Sequence, residues 1–173
     1  PSLVNIDDTV AGEFSFDLAE PYKAALEAAS SPSASNPIAV LDALSPVQGF
    51  DVVWAEDVLG STYVQTAGGR LISGGAVYIN DSQDGYSAGV TCRISDVFSG
   101  DTLVPSDWHY IYLAPGAGTS VDAEVSTSPP EFGVHPTDAT RKFLTSVYIS
   151  SGSEFVPFTR VGNWVELHNA ITI

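Results

Sequence analysis

Gly85-Tyr86-Ser87-Ala88-Gly89 is the run whose residue types and spacing best match a catalytic device. The pattern G-x-S-x-G is the nucleophile elbow of α/β-hydrolases, in which a serine on a tight strand-to-helix turn exposes its hydroxyl beside backbone N–H donors. In this chain the pentapeptide leads into Val90-Thr91-Cys92-Arg93-Ile94-Ser95, which alternates like a strand and does not continue as a helix. A parallel sheet would need alternating strands and helices, and no such alternation is present elsewhere. A small serine esterase using Ser87 is therefore the remote reading, and a hairpin turn at Asp84-Gly85 is the expected one.

Three other groups could do chemistry. His109, His135 and His168 offer imidazoles to a metal, but they lack the i, i+4 spacing of a helical zinc site and fall in separate predicted elements. Asn80-Asp81-Ser82-Gln83-Asp84-Gly85 supplies oxygen donors from Asp81 and Asp84 that a calcium ion could use, without the length or terminal glutamate of an EF-hand loop. Cys92 is the single cysteine, so no internal disulfide or cysteine-based zinc site can form, and a small buried apolar role is expected of it. No catalytic residue, cofactor or metal is assigned, and the chain is expected not to be an enzyme.

The aromatic residues are the remaining candidates. Trp54, Trp108, Trp164, Tyr110 and Tyr112, with Tyr63, Tyr78, Tyr86 and Tyr148 around them, could form a subunit interface or a stacking platform for a sugar, and alternate aromatics in strands are also simply core. In Trp108-His109-Tyr110-Ile111-Tyr112 the alternation places Trp108, Tyr110 and Tyr112 on one face and His109 and Ile111 on the other. Both faces carry apolar or amphipathic groups, so both are expected to be covered.

The elements that must hold these residues are mostly strands. Period-two patterns predict them over 50–54, 70–80, 88–96, 108–113, 120–126, 143–150, 154–161 and 164–173. This number of short strands, with Ser151-Gly152 and a glycine-rich stretch at 116–118 as connections, predicts a mainly β fold: an antiparallel β-sandwich or jelly-roll-like domain over 50–173. Ahead of it, 1–49 reads as an attachment segment. It comprises an apolar arm with Phe14 and Phe16, one helix opening at Glu20-Pro21 and carrying Tyr22 and Leu26, and a Ser/Pro linker over 30–37.

Charge narrows the partners. The 173 residues include 21 acids and six bases, a formal net charge of -15. The first 60 residues hold ten of the acids against Lys23 alone. Such a field repels phosphate backbones and anionic lipid surfaces, so neither nucleic acid nor membrane is expected as a partner. No apolar run has the length of a membrane span, and the start has no signal-peptide pattern. The opening Pro1-Ser2 and the lack of Met fit removal of an initiator, so a nearly complete chain made in the cytoplasm is expected.

Over about residues 68–168 the chain resembles β domains of bacteriophage virion proteins: tail-fibre, head-fibre or spike, and capsid decoration components. The resemblance rests on Gly68-Gly69-Arg70-Leu71, Gly74-Gly75-Ala76-Val77-Tyr78-Ile79, Trp108-His109-Tyr110-Ile111-Tyr112-Leu113, Ser126-Thr127-Ser128-Pro129-Pro130, His135-Pro136-Thr137 and Arg141-Lys142-Phe143-Leu144. It implies a structural subunit of a virion, assembled in the host cytoplasm, that binds other virion proteins and forms a homo-oligomer, a trimer above all. A host surface glycan is the implied alternative ligand. The chain has no repetitive shaft, which favours a compact spike, cement or adaptor subunit.

Overall fold

The computed structural model describes residues 46–80, 89–161 and 164–168, together with the backbone of two strands, β1 (Val4–Asp7) and β2 (Ser15–Leu18). β1 and β2 pair antiparallel in a two-stranded sheet of their own. The described part is mainly β, in several antiparallel sheets, with no helix among the described residues. The helix expected at Tyr22 and Leu26 lies outside them.

Two long stretches form one kinked ribbon. β3 (Val47–Gly49) and β4 (Val52–Glu56) run antiparallel to β6 (Gly69–Ser73) and β5 (Thr62–Thr66), respectively. Both partners break at the same level, where Phe50 N–H donates to Gly68 O (3.1 Å) and Ala67 N–H to Asp51 O (2.8 Å). Gly49 and Phe50 take left-handed backbone angles there, φ 80° and 58°. The kink swings the Phe50 ring, fully buried, over Gly69, where an added Cβ would lie 2.5 Å from the ring. β7 (Ala76–Asn80) extends the β6 side, and β8 (Thr91–Arg93) the β5 side.

Against this ribbon lies a four-stranded sheet of order β10-β9-β12-β11. Its strands are β9 (Asp107–Pro115), β10 (Val121–Ser126), β11 (Val134–His135) and β12 (Asp138–Ile149). β12 keeps one face inward along its length through a bulge. Tyr112 pairs with Phe143 and Ile111 with Thr145, which leaves Leu144 as the extra residue and shifts the buried phase from even to odd positions. The last two strands, β13 (Phe158–Val161) and β14 (Trp164–Leu167), form a separate ribbon.

One apolar cluster joins these sheets. Phe50, Val64 and Leu71 from the kinked ribbon meet Ile111, Leu113, Val125, Leu144, Val147, Phe155 and Phe158. Fully burying a side chain of this size contributes roughly 1.5–3 kcal/mol. Polar ties fix the relative positions: Trp54 Nε1 donates to Phe155 O (2.9 Å), Phe155 N–H to Thr62 Oγ1 (2.8 Å) and Ser73 Oγ to Thr140 O (2.7 Å).

Several predicted boundaries are corrected. The strand expected over 70–80 is a hairpin, because Gly74 and Gly75 both take positive φ (58° and 77°) and turn the chain between β6 and β7. β5 was not expected; Thr62-Tyr63-Val64-Gln65-Thr66 has alternating burial without an alternating apolar pattern. Strand pairing also begins ahead of the boundary expected at residue 50, since β3 hydrogen-bonds β6.

Candidate functional site

Among the described residues, a dense polar cluster lies where the end of β10 meets β11. Ser126 is fully buried and His135 is 2% exposed, so both must find partners inside the protein. The Ser126 hydroxyl lies 2.5 Å from Asp101 Oδ2 and 3.0 Å from His135 Nε2, and it accepts the Ser128 N–H at 3.0 Å. Thr127 N–H also donates to Asp101 Oδ2, at 2.8 Å. On the far side of the imidazole, Thr137 N–H donates to Nδ1 at 3.3 Å, and the Thr137 hydroxyl lies 3.1 Å from it. A backbone N–H can only donate, so Nδ1 carries the lone pair and Nε2 the proton. His135 is then a donor to Ser126, and Ser126 a donor to Asp101.

Asp101 reaches this position because residues 96–98 run beside β10. Val97 bridges Val125, Phe98 N–H donates to Val125 O (2.9 Å), and Val125 N–H donates to Asp96 O (2.8 Å). Partial burial works against the Asp101 charge. The Ser126 hydroxyl and the Thr127 amide outweigh it, holding the carboxyl below its ordinary value. Rings enclose the imidazole, with Phe98 at 4.0 Å between centroids and Tyr112 at 5.0 Å. Burial pushes the Tyr112 phenol up, and its hydroxyl donates to Ser128 O at 2.7 Å. Arg141 closes the rim, with Nε 3.0 Å from Glu124 Oε2, Nη1 2.8 Å from Asp138 Oδ2 and the guanidinium 5.8 Å over the Phe98 ring. Its hydrogen bond to Glu124 raises the Arg141 pKa despite burial, so the clamp stays charged.

Serine, histidine and aspartate thus meet, but not as a nucleophile set. In a hydrolytic triad the carboxylate orients the imidazole and the imidazole takes the serine proton. In this cluster the serine stands between the other two and its proton is committed to the carboxylate, with no solvent path to its oxygen. The arrangement pins residues 126–137 to the sheet.

That pinned segment contains a tight turn. Glu131 and Val134 exchange both backbone hydrogen bonds, at 2.9 and 3.1 Å, around the two-residue loop Phe132-Gly133. Both loop residues take left-handed angles (φ 52° and 80°), and Phe132 is 69% exposed. A second apolar tip sits at the β4–β5 turn, where Asp57 Oδ1 accepts the N–H groups of Leu59 (2.9 Å) and Ser61 (3.0 Å). Those two hydrogen bonds lower the Asp57 pKa, and they fix a turn on which Val58 and Leu59 are almost wholly exposed.

The sequence-predicted residues scatter. Ser87, Asp81, Asp84, Phe14, Tyr22 and Leu26 lie outside the described residues, and of Phe16 only the backbone, in β2, is described. The histidines do not converge: His109 and His135 are buried apart, while His168 is exposed beside Thr159. Among the described residues no group of three or more His, Cys, Asp or Glu side chains is placed to hold a metal ion. Cys92 is buried, and burial pushes its thiol pKa up. Tyr112 is fully buried core, which removes it from any sugar-facing row, and Trp54 packs against the core with its indole N–H bonded. Trp108 remains half-exposed, edge-on to Tyr148 at 5.6 Å, Tyr110 is half-buried beside Phe143, and Trp164 is 82% exposed. Asp101 and Ser126 were not singled out by the sequence. Ser126-Thr127-Ser128-Pro129-Pro130 carries only turn signals, and nothing local ties it to an aspartate 25 residues earlier. No known protein family matches the chain, and neither a curated protein nor a solved structure is significantly similar to it.

Proposed function

We propose that this chain is a non-enzymatic structural subunit of a phage or virus particle, a compact decoration, spike or adaptor component. In this reading a β-sandwich or jelly-roll-like domain is held to a larger assembly by the segment at 1–49. The observation that carries it is the placement of large apolar side chains on rigid turn tips, Val58 and Leu59 on one and Phe132 on the other. Exposed apolar groups scattered over a surface need no explanation, whereas groups held out on hydrogen-bonded turns suit insertion into a neighbouring subunit. The net charge of -15 favours neighbours with basic patches. Resemblance to virion β domains supplies the class of assembly. The test is particle association: antiserum raised against the purified chain should label intact particles from cells that express it. Antigen confined to the unassembled soluble fraction would overturn the reading.

The second reading is a carbohydrate-binding module. It rests on the Trp108–Tyr148 pair, whose perpendicular rings leave Trp108 39% exposed at the start of β9. A glycan array probed with the wild-type chain and with Trp108→Ala separates the two readings. Glycan binding lost in the variant would favour the module, and no binding by wild type would remove it.

A further inference from the structure

The turn between β4 and β5 holds two aliphatic side chains out in water. Val58 and Leu59 are almost wholly exposed, and the Asp57 carboxylate fixes the turn beneath them through the N–H groups of Leu59 and Ser61. Acids surround this tip. The Glu56 carboxylate lies against it, with Oε1 3.5 Å from where a Cβ on Gly60 would stand. At the base of the turn Thr62 Oγ1 accepts the Phe155 N–H, which brings exposed Glu154 alongside, and Ser61, Thr62, Arg93 and Glu154 line one hollow. Among the described residues Arg93 is the one base lining it. Its guanidinium is 3.5 Å from Asp57, and its backbone N–H donates to Asp96 Oδ2 at 2.7 Å. Glu56 and Glu154 have no ion-pair partner among the described residues.

We propose that the Val58–Leu59 tip inserts into an apolar pocket rimmed by lysine or arginine on a neighbouring subunit of different sequence. Charge selects this occupant. The two aliphatic side chains supply the area that leaves water, while Glu56, Asp57, Asp96 and Glu154 against Arg93 make the surface around them acidic. An anionic lipid surface or an acidic chain would be repelled. A second copy of this chain shows no such rim among the described residues. Of the six bases, Arg93 and Arg141 are ion-paired, Lys142 and Arg160 have partners of their own, and Lys23 lies outside the described residues, which leaves Arg70 as a single charge. This partner deepens the reading of the chain as an assembling subunit and rests on it.

Co-sedimentation of the purified full chain with particles assembled in cells that lack it tests the partner, with V58S/L59S and E56Q/E154Q as variants. All four positions are exposed, and circular dichroism checks that each variant keeps its sheet. The wild type should bind, and more weakly as salt rises, because screening removes the attraction between unlike charges. V58S/L59S should weaken binding at least about tenfold, a loss typical of an interface anchor. E56Q/E154Q should slow association and flatten the salt dependence. Binding that salt leaves unchanged or strengthens overturns the basic rim, and this wild-type readout stands even where a variant fails to fold. Binding that folded V58S/L59S retains in full overturns the tip, and in both cases the chain remains a particle component. A wild type that self-associates and is made monomeric by V58S/L59S overturns the choice of partner in favour of a second copy. No co-sedimentation overturns the proposal, and labelling of particles by antiserum then decides the parent reading by itself.

Discussion

Ser126 receives a hydrogen bond from His135 and does not surrender one to it. The Thr137 N–H that donates to His135 Nδ1 fixes the lone pair there, which leaves the Nε2 proton facing the Ser126 oxygen at 3.0 Å. His109 is arranged the opposite way. Val104 N–H donates to its Nε2 at 3.1 Å, and its Nδ1 lies 3.1 Å from the Asp107 carbonyl, which can only accept. Nitrogen-resolved NMR of the imidazoles should therefore show the Nε2–H form for His135 and the Nδ1–H form for His109. The same form in both would break the proton order drawn through Ser126.

That order makes Ser126 costly to remove. Ser126→Ala would leave the partly buried Ser128 N–H and the buried His135 Nε2–H without their acceptor and Asp101 without its closest donor. Unsatisfied buried groups cost about 1–3 kcal/mol each, so a loss of about 2–4 kcal/mol in urea unfolding is expected. A loss near zero would mean that the cluster does not hold residues 126–137 in place.

How much of this was legible in the sequence depended on range. β9 and β10 alternate cleanly, and their residues pack accordingly, with Ile111, Leu113, Val121, Ala123 and Val125 all inward. The other face of β9 was expected to be covered as well, and at Tyr112 it is, with His135 packed edge-on against the ring. The Gly74-Gly75 turn was readable as a hairpin signal, but the apolar residues on either side masked it as one strand. The cluster of Asp101, Ser126 and His135 could not be read at all, since its spacing is set by the 96–98 bridge to β10 and by no local motif.

Acid should loosen the cluster in a defined direction. Burial raises the Asp101 pKa, and the hydrogen bonds from Ser126 and Thr127 lower it by more, so the net value lies below the 3.8 of a free aspartate. A carboxyl depressed on folding contributes stability that is fully present above its unfolded value and is lost as pH falls through the folded one. The Asp101 contribution should thus be intact at neutral pH and fade below about pH 4. Asp101→Asn should be the less stable protein at pH 7, and its deficit should shrink on acidification. A deficit that is constant or grows toward low pH would contradict the ionised Asp101.

Two glycines are fixed by contact and not by backbone angle. A Cβ on Gly89 would sit 1.4 Å from Thr66 O, and one on Gly69 would strike the Phe50 ring at 2.5 Å. The first contact is with backbone that Val90 pairs to β5, since Thr66 N–H donates to Val90 O at 2.9 Å. Gly89→Ala should therefore force β5 apart and cost roughly 3 kcal/mol or more, at the upper end for overpacking. Gly69→Ala should cost less, because its closest backbone contact, Gln48 O at 2.7 Å, is far less severe than the 1.4 Å approach to the Thr66 carbonyl. Chemical denaturation of both variants checks the order, and a milder effect at Gly89 would reverse the argument.

Phe132 reverses the usual sense of a substitution. At φ 52° its Cβ crowds the backbone, a conformation that asparagine and glycine tolerate and that costs bulky side chains about 1–2 kcal/mol. With 69% of its surface exposed, the ring recovers little of that by burial in the isolated chain. Asparagine at the first position of a two-residue turn followed by glycine is the favoured pair for this geometry, and Gly133 is already in place. Phe132→Asn should therefore raise stability by about 0.5–1 kcal/mol while leaving the sheet unchanged. The same variant should weaken particle association if the ring inserts into a neighbour, so stability and assembly would move in opposite directions. A variant less stable than wild type would show that the Phe132 ring is held by contacts within its own chain, and the tip would then lose its standing as a docking element.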